Sequence, residues 1–496
     1  MMKNPPMKKR IRVALITPEF SPLARSGELA DVAASLPRYL VQAGLEVLVV
    51  MPRYRRPEID SLPLELILPE LWVPLGKEKI RASVFKTELG RFPLYLIDNP
   101  RFFYRPEIYG PASTGYLDND ARFIFFNRAV LEFFLQAKIE VDVVHCHNWP
   151  TALVPVFLRT HYGDCSRLKK VAAVFTVHNV AYQGEFPAES LALTGLNWDY
   201  FTPQKFSLNG RFNFLKAGTI FADVINTVSA TYKADIEKAA ARHELGIILD
   251  QLKNRFFSIR SGIDYESWNP AQDPFLAAPY QAEDIAGKRI CKEDLIKETG
   301  LTISPETPLL GVISYFSPLK GIDLILQSLE ALLQLKVGLI ICGQGDENLV
   351  SKLKAAAQRY RGPLVVKTEI TASLMHKIFA GSDLLLIPSR EEPCGLNQFY
   401  GFRYGTIPVA RAVGGLKETI IPFNPRTSQG NGFLFHSFSP RALVGAVRRA
   451  LACYQQTPLW EKLVGSVMRQ DFSWNEPGKE YINLYLRALE LRGGGK

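Results

Sequence analysis

The chain has 496 residues, 47% hydrophobic and 22% charged, with 59 Lys and Arg against 49 Asp and Glu for a formal net charge of +10. That length exceeds one ordinary core and calls for two domains or more, while the composition is that of a globular protein without repeats or low-complexity tracts. No apolar run reaches membrane-spanning length and the start lacks a signal-type core, so a cytoplasmic location and no membrane partner are expected; the basic residues are scattered, which suits an anionic substrate and, without a recognition motif, points to no nucleic acid.

The short cluster Met7-Lys-Lys-Arg-Ile-Arg12 reads as a solvated terminus. Ile11 to Phe20 is predicted as a buried strand with its exit turn, and Leu29 to Gly44 has helical spacing that stops at a glycine. Leu45 to Met51 follows as a second strand, so the chain opens with the strand–helix–strand unit of a doubly wound sheet. The turn inside that unit, Ala24-Arg-Ser-Gly-Glu-Leu29, puts a cation and a glycine where such folds hold phosphates, although many turns of this composition hold nothing.

Ala82–Thr87 and Pro93–Asp98 are predicted strands, Asp118–Leu135 an amphipathic helix, and Asp142–Trp149 a strand with its exit loop. His145 and His147 lie two apart on that strand and share a face, which suits a strand-end pair lining a cleft better than a metal pair. Val171–Gly184 repeats the pattern, with His178 and Asn179 where the strand stops; a buried histidine satisfied by backbone groups would fit His178 equally well. A helix at Lys216-Ala-Gly, a strand at Ala222–Ser229 and a strand and turn at Phe256–Asp264 follow, and the Pro-bearing polar stretch Trp268–Phe275 reads as a linker.

A second alternation then begins, with strands at Leu309–Tyr315, Val337–Gly345, Leu364–Ile370 and Asp383–Pro388 and a helix at Gly321–Leu333. The expected class is α/β, two Rossmann-like domains facing a deep cleft, at 1–268 and 269–475, with a lone amphipathic helix in 476–496 crossing their junction. Cys146, Cys165, Cys291, Cys342, Cys394 and Cys453 lie far apart without a C-x-x-C pair, so reduced thiols are expected and no zinc site.

The most informative stretch is Pro388-Ser-Arg-Glu-Glu-Pro-Cys-Gly-Leu-Asn-Gln-Phe-Tyr-Gly-Phe-Arg-Tyr-Gly405, which follows the apolar Asp383-Leu-Leu-Leu-Ile. Strand, loop and helix in that order place the polar cluster at a strand's carboxyl end, where open parallel sheets bind ligands beside the unpaired N–H groups of a helix start. Glu392 is placed to accept from hydroxyls while Cys394, Gly395 and Leu396 present amides; a plain helix cap and turn would use the same residues.

The wording Pro-Ser-Arg-x-Glu-Pro-Cys-Gly-Leu closely resembles the donor-sugar loop of bacterial glycogen synthases and plant starch synthases. Further landmarks of that family recur in order: Leu29-Ala-Asp-Val, Val177-His-Asn-x-Ala-Tyr-Gln-Gly, Asn213-Phe-Leu-Lys-Ala-Gly, Gly262-Ile-Asp-Tyr-x-x-Trp-Asn-Pro, Arg403-Tyr-Gly-Thr-Ile-Pro-Val and Gly414-Gly-Leu. The resemblance implies the glycosyltransferase B architecture and glucose transfer from ADP-glucose to the non-reducing end of an α-1,4-glucan, with retention at the anomeric carbon and without a metal. It implies a nucleotide sugar and an α-glucan polymer as partners. Carried over by position, it has Lys320, in a solvent-facing turn, pair with the donor phosphates; Glu392 and the Cys394, Gly395 and Leu396 amides hold the glucose; and Gly27 lie close to the phosphate, with Arg25 and Tyr315 at motif positions of the same cradle. Catalysis then falls to Glu392, His178 and Lys320, His178 supporting the transferring glucose through its carbonyl or ring. Asp31, Asn148, Asn179 and Gln183 are implied as nearby polar groups on the donor or acceptor side.

Several motifs depart from the family's wording. Lys-Thr-Gly-Gly-Leu is Arg25-Ser-Gly-Glu-Leu29, which brings the Glu28 carboxylate into a phosphate turn, and Ser-Arg-Leu-x-x-Gln-Lys-Gly is Ser314-Tyr-Phe-Ser-Pro-Leu-Lys-Gly321, where Tyr315 replaces a guanidinium. His-Ala-His-Asp-Trp-His is His145-Cys-His-Asn-Trp-Pro150, a glycine-rich loop has become His243-Glu-Leu-Gly-Ile-Ile-Leu-Asp-Gln-Leu, and Ser261 stands for the Asn before Gly-Ile-Asp. These changes leave two other readings on the same scaffold: a catalytically impaired paralogue that binds glucan, nucleotide or a partner enzyme, and a transferase with a changed donor or acceptor.

Overall fold

The computed structural model describes residues 10–111, 114–239 and 244–493, so Met7, Lys8 and Lys9 of the basic start, and His243, lie outside the described residues. The chain divides into two compact units, Met1–Gly262 with Trp474–Lys496, and Ile263–Ser473.

Among the described residues the first unit is built on a nine-stranded sheet in the spatial order Phe256–Ser258, Val224–Thr227, Ala172–Val177, Val143–His147, Arg12–Ile16, Glu46–Pro52, Phe92–Asp98, Glu78–Leu89, Glu65–Leu75. Neighbours run parallel from Phe256–Ser258 as far as Phe92–Asp98, and the last two strands are antiparallel. Val13, Leu15, Val143, Val174 and Phe175 are fully buried, as strands covered on both faces require, which is why these segments read as continuous apolar runs. The edge strand Glu65–Leu75 carries Pro69 and Pro74 and two register shifts; proline and irregular pairing are tolerated at an edge, and they hide the alternation by which a strand is recognised.

The second unit is a wholly parallel six-stranded sheet in the order Leu364–Lys367, Gly338–Cys342, Leu309–Ile313, Leu384–Ile387, Ile407–Arg411, Phe433–Phe435. Winding reverses between its first and fourth strands in chain order, Leu309–Ile313 and Leu384–Ile387. The first unit has the same kind of reversal between Arg12–Ile16 and Val143–His147. Such switch points open a crevice at the strands' carboxyl ends. Helix Ala286–Thr299 escapes a reading by periodicity because two lysines lie on its buried face. Lys288 Nζ donates to Ala380 O (2.8 Å), Tyr404 O (2.9 Å) and Thr406 Oγ1 (2.8 Å), and Lys292 Nζ to Asp383 Oδ2 (2.7 Å).

The unit boundary falls at Gly262/Ile263, ahead of the expected linker. Trp268 stands inside the second unit, its indole between the rings of His376 and Tyr400, each 3.9 Å away, while Arg403 donates to Trp268 O and Asn269 Oδ1. The terminal helix, Asn475–Gly493, groups with the first unit. Its Tyr481 and Tyr485 are fully buried, Tyr481 OH accepting from Asn226 Nδ2 (3.0 Å) and Tyr485 OH 2.9 Å from His145 Nδ1. No disulfide joins the cysteines, and among the described residues no helix is long and apolar enough to cross a membrane.

Candidate active site

At the second unit's switch point two loops meet. One leaves Leu309–Ile313 and ends in the tight turn Pro318–Lys320; the other leaves Leu384–Ile387 and runs through Glu392. Gly321, at φ +73°, lets them touch, since a Cβ there would stand 2.1 Å from Pro388 O. Arg390 fastens the contact from outside, with its N–H to Leu319 O (2.8 Å), its guanidinium to Asp323 Oδ2 (2.6 Å), and its plane 3.7 Å from the Phe438 ring centroid. The result brings Lys320 Nζ to 2.6 Å from Glu392 Oε1, while Ser389 Oγ donates to Oε2 at 2.9 Å. Glu392 is 4% exposed, so its charge is held by one cation and one hydroxyl; the Lys320 side chain, 28% exposed, is less open than a solvent-facing turn residue.

The backbone of this loop is equally specified. Gly415 N donates to Glu392 O at 3.0 Å, and a Cβ on Gly414 or Gly415 would stand 2.0 Å from Glu392 O or 2.2 Å from Cys394 O. The Gly414-Gly-Leu landmark is therefore a space requirement of the Glu392–Cys394 backbone. Cys394, Gly395 and Leu396 lie directly before helix Asn397–Arg403, Gln398 Nε2 bonding Cys394 O (3.1 Å) and Asn397 Nδ2 bonding Ile313 O (2.8 Å). Tyr315 lies at the surface, 37% exposed.

In the first unit, the turn after Arg12–Ile16 is organised by a residue that no motif singles out. Glu19, 4% exposed, accepts from Ser26 N (2.7 Å), Ser26 Oγ (2.9 Å), Gly27 N (3.0 Å) and Tyr109 OH (2.7 Å). The amide of Gly27, the residue implied to lie close to the phosphate, is thus already bonded to an internal carboxylate. Arg25 sets its fork on Asp31, Nε to Oδ1 at 3.3 Å and Nη2 to Oδ2 at 3.0 Å, so its charge is compensated from within the helix that follows. Glu28 is the first residue of that helix, Glu28–Gln42, a carboxylate at the positive end of the helix dipole.

Beside this turn three imidazoles gather at the ends of Val143–His147 and Ala172–Val177. His145 and His147 are fully buried and their ring centroids stand 4.2 Å apart, so the pair forms part of the core and does not line a cleft. His145 uses both nitrogens, Nδ1 with Tyr485 OH and Nε2 with Thr176 Oγ1 (2.7 Å), and His147 Nδ1 lies 3.0 Å from Nε2 of the partly buried His178. Burial lowers His145 to about 3, His178 to about 3 and His147 well below the usual imidazole range, so all three are neutral at neutral pH. Asn148 sits at φ +58°, ψ 178°, a backbone region that costs of order 1–3 kcal/mol for a side-chain-bearing residue. Its Oδ1 accepts from His178 N at 2.8 Å. An aspartate here would supply the same acceptor, so the change removes a charge and keeps the bond.

The remaining expected residues are engaged within the first unit. Gln183 accepts from Asn213 Nδ2 (2.7 Å) and donates to Val180 O (3.1 Å), and Asn179 Oδ1 accepts from Ala181 N (2.8 Å). Pro150 is buried, its carbonyl accepting from Asn127 Nδ2 (2.7 Å), and Ser261 is buried as well. Glu244–Gln251, expected as loop, is helical. Among the described residues no group of three or more His, Cys, Asp or Glu is placed to hold a metal. A cavity of about 670 Å³ opens at the amino ends of Arg12–Ile16 and Glu46–Pro52, but its Arg12 is paired with Glu46 and Glu140, and parallel sheets bind at the other end.

The starch synthase catalytic domain model matches residues 12–251 and the glycosyl transferases group 1 model residues 296–462. Glycogen synthase 2 of Geobacter sulfurreducens is 37% identical over 484 residues, 98% of this chain and 100% of that protein. The chain belongs to the glycogen synthase and starch synthase family. Glycogen synthase of Koribacter versatilis stands in the same relation, 37% identical over 485 residues, 97% of this chain and 99% of its own. Among solved structures, the catalytic domain of starch synthase IV from Arabidopsis thaliana, bound to ADP and acarbose, superposes with a TM-score of 0.91 at 32% identity over 97% of this chain and 100% of that one. Sucrose-phosphate synthase from Thermosynechococcus elongatus, at 16% identity and a TM-score of 0.61, shares the fold alone. This glycogen synthase relative thus has the two-domain α/β glycosyltransferase B fold, with Lys320 and Glu392 meeting at the switch point of its second unit.

Proposed function

We propose that the chain is a retaining glucosyltransferase that moves glucose from ADP-glucose to the non-reducing end of an α-1,4-glucan without a metal ion. The observation that carries this reading is the Lys320–Glu392 pair at the second unit's switch point, 2.6 Å apart, in a chain that aligns end to end with glycogen synthases.

In the reaction the bond from the anomeric carbon to the diphosphate oxygen breaks, a bond to the acceptor hydroxyl oxygen forms, and the acceptor's proton leaves with the diphosphate. Positive charge grows on the sugar and negative charge on the departing phosphate. Lys320 answers the second. Turning from Glu392 to the phosphate, it leaves Glu392 as the fixed negative group beside the sugar, with Ser389 still holding the other oxygen. The Cys394 to Leu396 segment orients the glucose, and His178, whose amide the Asn148 bond holds, is the first unit's candidate for supporting a sugar.

The altered turn tunes this reading. Arg25 is held by Asp31 and Glu28 adds a negative charge, so the first unit attracts a diphosphate less than a lysine and a glycine would, and a raised donor KM with catalysis retained is the expected result. Purified protein with labelled ADP-glucose and UDP-glucose, each with glycogen, tests the proposal. Label entering the polymer from ADP-glucose supports it; donor binding without turnover would identify an impaired paralogue, and transfer from UDP-glucose alone a changed donor.

A further inference from the structure

His147 has no part in the reaction described above, yet its main chain is fastened at both amide and carbonyl and its ring is enclosed in the first unit's core. Thr151 Oγ1 accepts from its amide (2.7 Å) and donates to its carbonyl (2.9 Å), the His145 ring lies against it, and it is fully buried. Its Nδ1 faces His178 Nε2 at 3.0 Å, and its Nε2 has no hydrogen-bond partner among the described residues. His145 has nothing left to offer, both of its nitrogens being bonded.

Neutral imidazoles carry one ring hydrogen each, so the His147–His178 contact contains a single shared hydrogen and two arrangements satisfy it. If His178 Nε2–H donates, His147 must carry its own hydrogen on Nε2, which buries an N–H with nothing to receive it. If His147 Nδ1–H donates, the orphan is only a lone pair. Orphaned N–H groups are the rarer defect in protein interiors, so the second arrangement is selected.

We infer that His147 is a positioning residue whose Nδ1–H donates to His178 Nε2, fixing His178 as its Nδ1–H tautomer and turning a hydrogen-bond donor, not a lone pair, toward a sugar oxygen. The Asn148 bond to His178 N holds the backbone of the same residue, so ring and main chain are fixed independently. The sugar as recipient rests on the glucosyl transfer proposed above; the tautomer does not.

Two measurements separate the parts. In histidine-15N-labelled full-length protein at neutral pH, long-range nitrogen–proton spectra should show both His147 and His178 protonated at Nδ1 and bare at Nε2; a His178 protonated at Nε2 overturns the inference whatever the enzyme does. In kinetics, His147→Phe should lower kcat by at least roughly tenfold with donor KM changed by less than about threefold, because a bond is lost that matters as charge develops. His147→Asn, whose amide places a donor near the Nδ1 position, should recover most of that loss. Equal losses in both variants, or none in His147→Phe, would reduce His147 to a core residue. A wild-type chain that transfers no glucose would sink the proposed function and leave the spectra to decide the tautomer.

Discussion

Glu392 and Lys320 each neutralise the other, and this makes the consequences of mutating them unequal. Lys320→Ala removes the phosphate's cation and should lower ADP-glucose-dependent turnover by at least roughly tenfold. A turn lysine would be thermally silent, but here its loss leaves a buried carboxylate with only Ser389, so stability should fall as well, by about 1–3 kcal/mol. Adding Glu392→Gln to that variant removes the stranded charge and should restore the melting temperature without restoring activity. A double variant no more stable than Lys320→Ala would show that the pair carries no such coupling. The Pro388–Leu396 wording was readable in advance because it is contiguous and follows an apolar strand. Glu19 was not, since one acidic residue in an exit turn has no spacing to mark it, and its four bonds come from Ser26, Gly27 and Tyr109, the last 90 positions away.

At the scale of elements, the turn between the first strand and helix is preformed by Glu19. Glu19→Gln leaves one acceptor where four donors converge, so unfolding free energy should drop by roughly 2–4 kcal/mol and donor KM should rise, while Glu19→Asp should fall between. Unchanged KM in a stable Glu19→Gln protein would dissociate this turn from the donor. The histidine cluster predicts a pH effect. His145 titrates at its ordinary 6.5 when unfolded and at about 3 when folded, a depressed value, so its contribution is complete above 6.5 and is lost as pH falls toward 3. Inside that window the unfolded chain holds one extra proton at His145, a slope of about 1.4 kcal/mol per pH unit from this residue, in addition to those at His147 and His178. His145→Gln should therefore lose stability less steeply on acidification by about one proton, and an equal slope would mean that His145 charges in the folded state. Which elements were legible follows the same physics. The parallel strands are covered on both faces and read as apolar runs, whereas Glu65–Leu75 is an edge with two prolines and Ala286–Thr299 hides its buried face behind Lys288 and Lys292.

For the whole molecule, the second unit is contiguous in sequence and the first is not, because Trp474–Lys496 returns to a sheet whose strands end at Ser258. Truncation after Ser473 should strip Tyr481 and Tyr485 from Asn226 and His145 and expose the first unit to protease while Ile263–Ser473 stays resistant. A truncated chain as resistant as the full one would show that the helix is dispensable. On the ribosome this arrangement inverts the order of completion. Domains fold as they emerge, at roughly 5–20 residues per second, yet within the first 262 residues the strands Val143–His147, Ala172–Val177 and Val224–Thr227 stay uncovered by this helix until Asn475–Gly493 has emerged. The unit that is translated second matures first, and the interval between is when a nascent first unit most needs a chaperone.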